Sequence, residues 1–180
     1  MRQRRFLGAF VLAMALAGLP VSPAAAQDEL VIINDPAAPQ VNGARARLID
    51  DPAVQGGKAL RVPVRRKGKD VWEVSVQTAL IQPVKAGDEL LFAFWARLEE
   101  GEGGATTATL PNNQIQQSTA PWDWVLGNPV EIGPEWKLLE IRGKAGKDYA
   151  AGTLNATIHL ANAQQTVDFG PIFVINLGQE

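Results

Sequence analysis

The feature that most constrains the fold is a series of short apolar or alternating segments separated by turn residues. Glycine and proline recur between these segments, as in Gln55-Gly56-Gly57 and Lys85-Ala86-Gly87-Asp88. Both residues favour tight turns, because glycine adopts positive φ and proline has a fixed φ. The pattern predicts strands at Leu30–Asn34, Ala44–Ile49, Ala59–Arg65, Val71–Thr78, Leu90–Leu98, Thr106–Leu110, Val125–Ile132, Trp136–Arg142, Leu154–Ala161 and Thr166–Asn176. An all-β fold follows, an antiparallel sandwich or barrel of about ten strands in a single domain.

The first 26 residues have the layout of a secretory signal peptide. Three arginines near the start precede an apolar run from Phe6 to Leu19, and Ala24-Ala25-Ala26 provides the small residues of a cleavage site. The apolar run is too short to span a bilayer comfortably. We therefore expect residues 1–26 to be a signal peptide, residues 27–180 to be the domain, and the protein to be secreted or periplasmic in a bacterium.

The composition excludes several classes of function. There is no cysteine, so the chain has neither disulfides nor a thiolate metal site, and a single histidine excludes a His-rich metal site. Without residues 1–26, which hold three arginines and no acids, the formal charge falls from −2 to −5. That charge argues against a nucleic-acid partner, which would need a basic face. Because no second long apolar run exists, we expect no membrane contact after signal cleavage.

Period-two alternation assigns an unusual polar face to three strands, because successive side chains in a strand point to opposite sides. The faces opposite the predicted core carry amide, hydroxyl, imidazole, indole and guanidinium groups: Glu73, Ser75 and Gln77; Trp95 and Arg97; Asn155, Thr157 and His159. Sugars need this combination, since their C–H faces stack on indoles while their hydroxyls need fixed donors and acceptors. The alternative is an ordinary outer face on which a loop partly covers Trp95.

The segment from Thr106 to Trp124 is the second unusual feature. It is rich in Thr, Asn, Gln and Ser and ends in Pro121-Trp122-Asp123-Trp124, which indicates a binding loop with exposed aromatic groups. The alternative is that one of its indoles closes the end of the core. Trp72 and Trp136 are predicted to be core residues. The basic run Arg65–Lys69 is predicted to solvate a hairpin turn, with contact to an anionic polymer as the other interpretation.

No motif for catalysis or metal binding is present. A Ser–His–acid set would have to combine His159 with Ser75 or Ser118, neither of which lies in a nucleophile elbow. Scattered acids exist, but nothing in the sequence pairs two of them as a glycosidase requires. We therefore expect no enzymatic activity, no catalytic residue and no cofactor. A structural Ca²⁺ held by scattered oxygens stays open, with no residues assigned to it.

Several segments, in order, resemble the carbohydrate-binding modules of the family 4/9 type, the cellulose- and xylan-binding CenC-like group. They include Asp70–Gln77, Phe92–Arg97, Glu135-Trp136-Lys137, Asp148–Gly152 and Gln165–Pro171. The resemblance implies a galactose-binding-like jelly roll that holds sugar on a concave sheet or at its edge. It places Gln77, Trp95 and Arg97 on that sheet or its rim, His159 and Gln165 on completing strands, and Trp122 in an aromatic-bearing loop.

These observations predict a non-catalytic domain that binds a plant-type or envelope polysaccharide, or an oligosaccharide. Trp95 would stack on a sugar ring, and Trp122 or Trp124 would add a second platform. Four polar residues would orient hydroxyls: Gln77, Arg97, Asn155 and His159. Glu73 would accept from two hydroxyls, and Gln165 completes the predicted carbohydrate-binding set. Because the chain ends soon after the last predicted strand, any catalytic partner is expected to be a separate glycan-degrading enzyme. The alternatives are an envelope structural or protein-interaction module of the same fold, and a small glycoside hydrolase.

Overall fold

The computed structural model describes residues 31–179, so the predicted signal peptide lies outside the described residues. Two short 3-10 helices, Val71–Glu73 and Glu102–Gly104, interrupt a chain of eleven strands. No helix within residues 31–179 is long and apolar enough to cross a membrane. The strands are β1 (Val31–Ile32), β2 (Gln40–Asn42), β3 (Arg47–Asp50), β4 (Lys58–Val64), β5 (Ser75–Ala79), β6 (Glu89–Glu100), β7 (Ala108–Gln117), β8 (Trp124–Ile132), β9 (Lys137–Lys144), β10 (Leu154–His159) and β11 (Gln165–Gly178).

The strands form two sheets whose pairings are all antiparallel. One sheet has the order β3-β4-β11-β6-β9, with β1 also paired to β11. The other sheet has five strands in the order β2-β5-β10-β7-β8. Neighbours in each sheet are mostly distant in sequence, as in a jelly roll. The predicted all-β antiparallel sandwich is therefore confirmed.

The core lies between the inner faces of the two sheets and follows the predicted alternation. Phe92 and Phe94 of β6 are fully buried with ring centroids 5.2 Å apart, and Phe169 of β11 lies 6.3 Å from Phe94. From the other sheet, β10 contributes Leu154, Ala156 and Ile158. Burial of aromatic and aliphatic side chains from both sheets is the main stabilising term of such a sandwich.

The predicted strand Val71–Thr78 is shorter than expected, because its first residues form the 3-10 helix. The Glu73 carboxylate accepts hydrogen bonds from the backbone N–H groups of Lys69 and Asp70, at 3.0 and 3.1 Å. These bonds turn the chain back on itself before β5 begins at Ser75. Alternation therefore does not apply at Trp72, which is 59% exposed. The prediction that Trp72 is a core residue is wrong.

The amide-rich segment predicted as a loop is mostly a strand. Only residues 118–123 connect β7 to β8, and β7 itself extends from Ala108 to Gln117 between β10 and β8. Backbone pairing uses no side-chain groups, so an amide-rich sequence forms a central strand when both neighbours satisfy its ladder. As a consequence, the amides of this segment lie on a sheet surface at fixed positions.

Candidate functional site

A groove of about 590 Å³ lies on the outer face of the five-stranded sheet. Cross-strand register arranges its floor in rows: Gln77, Thr157, Gln114 and Gly127 lie opposite one another across β5, β10, β7 and β8. The floor extends about 13 Å along the strands and about 14 Å across them, from the usual rise and spacing of strands. We call this the amide groove; its lining is Trp72, Ser75, Gln77, Asn112, Gln114, Gln116, Trp122, Trp124, Thr157 and His159.

Three exposed indoles border the amide groove. Trp124 lies opposite Gln116 at the start of β8, and Trp122 lies in the preceding loop. Trp72 comes from the 3-10 helix that leads into β5, near Ser75 and His159. The exposed fractions are 59% for Trp72 and 52% for both Trp122 and Trp124. Exposed aromatic groups around a polar concavity are a common feature of binding sites.

Several polar atoms of the groove floor are buried without a hydrogen-bond partner. They include Gln114 Oε1, Thr157 Oγ1 and His159 Nδ1, and the three residues are only 1%, 2% and 6% exposed. Gln114 uses its Nε2 atom to donate to Gln116 Oε1. An unsatisfied buried polar group costs about 1–3 kcal/mol. Native structures seldom keep several of them in one place unless a ligand or water satisfies them.

Among residues 31–179, those that line the amide groove are uncharged at neutral pH. Burial lowers the pKa of His159 from its usual value of 6.5, because the charged imidazolium is poorly solvated there. The nine other lining residues carry no charge. The groove therefore presents neutral donors and acceptors beside indole faces.

Two backbone features shape the groove. Gly127 faces Gln114, and a Cβ atom at Gly127 would lie 2.8 Å from the Gln114 Cβ atom, so the absence of a side chain there leaves room for the amide. Trp122 has φ of 63°, a conformation that costs a bulky residue about 1–3 kcal/mol. Such strain in a surface loop is typical of functional positions.

The structure brings together four of the predicted site residues. Gln77, His159, Trp122 and Trp124 all line the amide groove. Asn155 shares the outer face of β10 with Thr157 and His159 and lies opposite Gln116, at the end of the floor nearest Trp124. It does not line the groove itself.

Trp95 and Arg97 do not belong to this face, so the prediction that they share a surface with Gln77 is wrong. Both lie on β6, in the other sheet. Alternation correctly puts them opposite Phe92 and Phe94, but a sandwich has two outer faces and theirs is the second one. Trp95 is half-buried and packs closely against Gly170, where an added Cβ atom would lie 2.9 Å from the Trp95 Cβ atom.

Arg97 is part of an ion cluster on that second face. Its guanidinium contacts Asp168 at 2.9 Å and Asp51 at 3.0 Å, and it lies 4.9 Å from the ring centroid of Trp136. Asp168, fully buried, also accepts two hydrogen bonds from Arg61 at 2.7 and 2.8 Å. Trp136 is half-buried and donates to Asp51 at 3.2 Å, so it covers this cluster rather than filling the core as predicted.

Glu73 and Gln165 also lie outside the amide groove, contrary to the predicted grouping. The Glu73 carboxylate accepts hydrogen bonds from Lys69 and Asp70 within its own turn, and Glu73 lines a different concavity. Gln165, at the start of β11, donates to the carbonyl of Leu160 at 2.9 Å and to Asn162 Oδ1 at 3.2 Å. It therefore fixes the turn between β10 and β11.

Sequence reasoning missed Trp72 and the individual amides of β7. The signal for Trp72 is local: Asp70 and Glu73 have the spacing of a capping box, which marks a helical turn rather than a strand. The signal for β7 is the alternation of Asn112, Gln114 and Gln116 around the buried Ile115. That alternation is short, and because most of the surrounding residues are polar as well, it does not stand out in the sequence.

Neither a metal cluster nor an acid pair occurs at this site. Within residues 31–179 no group of three or more His, Cys, Asp or Glu side chains is placed to hold a metal ion. No Asp or Glu lines the amide groove. Of the scattered acids, Asp168 is fully engaged with two arginines on the opposite sheet.

Comparisons with known proteins identify the fold. No family model and no curated protein sequence matches the chain. Among solved structures, a CBM4 structure has a TM-score of 0.57 at 15% identity, over 77% of this chain and 94% of that one. The CBM22-1 xylan-binding domain of Paenibacillus barcinonensis Xyn10C has a TM-score of 0.58 at 13% identity, over 86% and 100%.

A third match is the N-terminal cellulose-binding domain of Cellulomonas fimi beta-1,4-glucanase C. Its TM-score is 0.55 at 14% identity, over 76% of this chain and 86% of that one. The matches thus include CBM4 and CBM22 modules, so they do not single out the family 4/9 group. This chain has the jelly-roll fold of carbohydrate-binding modules.

Proposed function

We propose that the protein binds a glycan non-covalently in the amide groove. The observation that carries this proposal is the set of unpartnered buried polar atoms on the floor, at Gln114, Thr157 and His159, between exposed indoles. Sugar hydroxyls both donate and accept, so they match a floor of amides, a hydroxyl and a neutral imidazole. Sugar C–H faces match the indoles of Trp72, Trp122 and Trp124.

The dimensions of the groove support an oligosaccharide segment rather than a single ring. Its volume of about 590 Å³ lies within the range of about 300–1,000 Å³ that is usual for ligand sites. The indoles are contributed by chain segments at opposite ends of the floor, with Trp72 near His159 and Trp124 beside Gln116. A polymer chain that crosses the floor diagonally would therefore contact both ends.

The proposed role is binding without catalysis. No Asp or Glu from the described residues lines the amide groove, whereas hydrolysis of a glycosidic bond uses a pair of carboxyl groups. The similarity in fold to the xylan-binding and cellulose-binding domains supports the same role. The signal-peptide pattern of residues 1–26 supports a secreted or periplasmic location, where a separate glycan-degrading enzyme would be the natural partner.

Affinity electrophoresis tests the proposal. The purified protein is run through gels that contain xylan, β-glucan, mannan, pectin or no polymer. We expect retardation by at least one neutral polymer, and loss of the retardation in Gln114→Leu. If the folded protein is retarded by none of these polymers, the glycan-binding role is contradicted. The same fold would then serve as a protein-interaction module.

A further inference from the structure

A second concavity of about 290 Å³ lies beside the amide groove and is strongly basic. Three exposed arginines line it: Arg45 from the turn before β3, and Arg65 and Arg66 from the end of β4. None of the three guanidinium groups forms an ion pair within residues 31–179. We call this site the basic pocket.

The basic pocket is unusual for this chain, which has a formal charge of −2 and more acids than bases. Two exposed lysines elsewhere pair with acids: Lys58 contacts Asp50 at 2.7 Å, and Lys85 contacts Asp148 at 2.9 Å. Within the described part of the chain, Glu73 is the one acid that lines the basic pocket, and two backbone N–H groups already donate to its Oε1 atom. A group of unpaired arginines around a concavity favours carboxylate or phosphate ligands.

The 3-10 helix Val71–Glu73 separates the two sites. Trp72 lines the amide groove and its neighbour Glu73 lines the basic pocket. The helix is held in place by its contacts with the segment after β10, where the Ala161 N–H donates to the Val71 carbonyl at 3.1 Å. Ala161 in turn accepts from the Gly68 N–H at 2.8 Å. The amide groove and the basic pocket therefore border the same short helix.

We propose that the basic pocket binds carboxylate substituents of the glycan whose neutral part occupies the amide groove. The proposal rests on the proposed function. The ligand class is then a polysaccharide with a neutral backbone and uronate groups, rather than a wholly neutral polymer. The amide groove, with its uncharged lining, would bind the neutral backbone of the polysaccharide. Arg65 and Arg66 would add affinity by binding a carboxylate substituent of the same chain.

Two matched pairs of polymers test this inference. One pair is glucuronoxylan and the same material after reduction of its carboxyl groups; the other is β-glucan and a partly C6-oxidised β-glucan. For whichever pair binds, we expect the form with carboxylates to bind about fivefold more tightly than the uncharged form at low ionic strength. The expected factor is small because each exposed ion pair contributes little binding free energy. The preference should fall as salt is added, because the Debye length is only about 10 Å at 0.1 M.

The variant Arg65→Gln/Arg66→Gln should lose this preference and keep its affinity for the uncharged polymer. Lys58→Gln/Lys137→Gln is the matched control, since it removes the same two charges from exposed positions outside the basic pocket and should keep the preference. Thermal unfolding checks that both variants are folded.

The outcomes separate the two proposals. Equal affinity for the charged and uncharged forms, or a preference that survives in Arg65→Gln/Arg66→Gln, overturns this inference and leaves glycan binding intact. Failure to bind any of the four polymers overturns this inference, and failure to be retarded by mannan and pectin as well overturns glycan binding too. Arginine-dependent binding to vesicles of equal parts phosphatidylglycerol and phosphatidylcholine, without a polymer preference, would assign the pocket to a membrane surface and also overturns the inference.

Discussion

Thr157 of β10 lies directly opposite Gln114 of β7, and both side chains present a buried oxygen that has no hydrogen-bond partner. Two such oxygens on neighbouring strands lower the stability of the folded protein, because each has lost its hydration without replacement. Rotation of these side chains toward the amide groove would let sugar hydroxyls restore those hydrogen bonds, since both oxygens are shielded from solvent in the free fold. The pair thus links an energetic cost of the free fold to the proposed ligand.

Thr157→Val should therefore weaken glycan binding without destabilising the protein. The substitution keeps the shape of the side chain and removes the unpartnered hydroxyl, so we expect the free energy of unfolding to stay constant or rise by about 1 kcal/mol. Affinity for the bound polymer should fall about tenfold, which corresponds to one lost hydrogen bond. Urea denaturation and calorimetric titration measure the two quantities.

Thr78→Val is the matched control for that experiment. Thr78 Oγ1 accepts from Asn34 at 3.2 Å and donates to the Asp35 carbonyl at 3.4 Å, and it does not line the groove. This variant should lose about 1 kcal/mol of stability and keep its affinity. If Thr157→Val loses stability and keeps its affinity while Thr78→Val keeps its stability and loses affinity, our account of the groove floor is contradicted.

Gly127→Ala tests the close approach between β8 and β7. Its Cβ atom would meet Gln114 Cβ at 2.8 Å and the Asn113 carbonyl oxygen at 3.1 Å, so the strands must shift. We expect a loss of about 1–3 kcal/mol in stability and weaker glycan binding. Gly146→Ala, where a Cβ atom has nothing within 4 Å, should change neither quantity measurably. Similar effects at both glycines would refute the role assigned to Gly127.

His159 makes stability depend on pH in a narrow range. Its pKa in the folded protein is lowered by burial, so the unfolded chain binds the proton more readily below pH 6.5. The contribution of neutral His159 to the free energy of unfolding is fully present above pH 6.5. It is lost as the pH falls toward the folded-state pKa. We expect a slope of up to about 1.4 kcal/mol per pH unit in denaturant titrations.

His159→Gln should flatten that slope, since His159 is the chain's single histidine. If wild type and variant lose stability equally between pH 6.5 and 5, the imidazole is not buried as the structure describes.

Asp168→Asn should destabilise the protein and leave its affinity for the polymer unchanged. The substitution removes the charge that pairs with Arg61 and Arg97, and loss of one partner of a buried ion pair costs about 3–5 kcal/mol. Asp50→Asn, which affects an exposed pair with Lys58, should leave the stability almost unchanged, because solvent screens that pair. A fall in the polymer affinity of folded Asp168→Asn would contradict the assignment of Arg97 to a surface outside the binding site.

The sequence predicts the sandwich and the inner faces of its long strands well, because alternation depends only on the pleat of each strand. It correctly places Phe92 and Phe94 inside and Gln77 and His159 outside. It cannot tell which of two outer faces a residue occupies, and this is why Trp95 and Arg97 were grouped with Gln77. Sheet membership depends on pairings such as β6 with β11, between segments far apart in the chain.

Local turn chemistry explains the second failure. Trp72 fits the alternation of a strand in sequence, but the Glu73 carboxylate binds two preceding N–H groups and makes a 3-10 helix. The indole then moves from the predicted core to the rim of the amide groove. The sequence thus predicts amides and indoles on one surface, whereas the position of Trp72 depends on this local turn and the sheet membership of Trp95 depends on long-range strand pairing.

The most direct test of the glycan-binding account compares three tryptophan variants on the polymer that retards the protein. Trp72→Ala and Trp124→Ala remove indoles from opposite ends of the amide groove, and Trp95→Ala removes one from the other sheet. By calorimetric titration we expect each of the first two to lower affinity about tenfold, because each removes an indole face on which a sugar ring would stack. Folded Trp95→Ala should bind like wild type. Loss of binding in Trp95→Ala, with full affinity in the other two, would contradict the account.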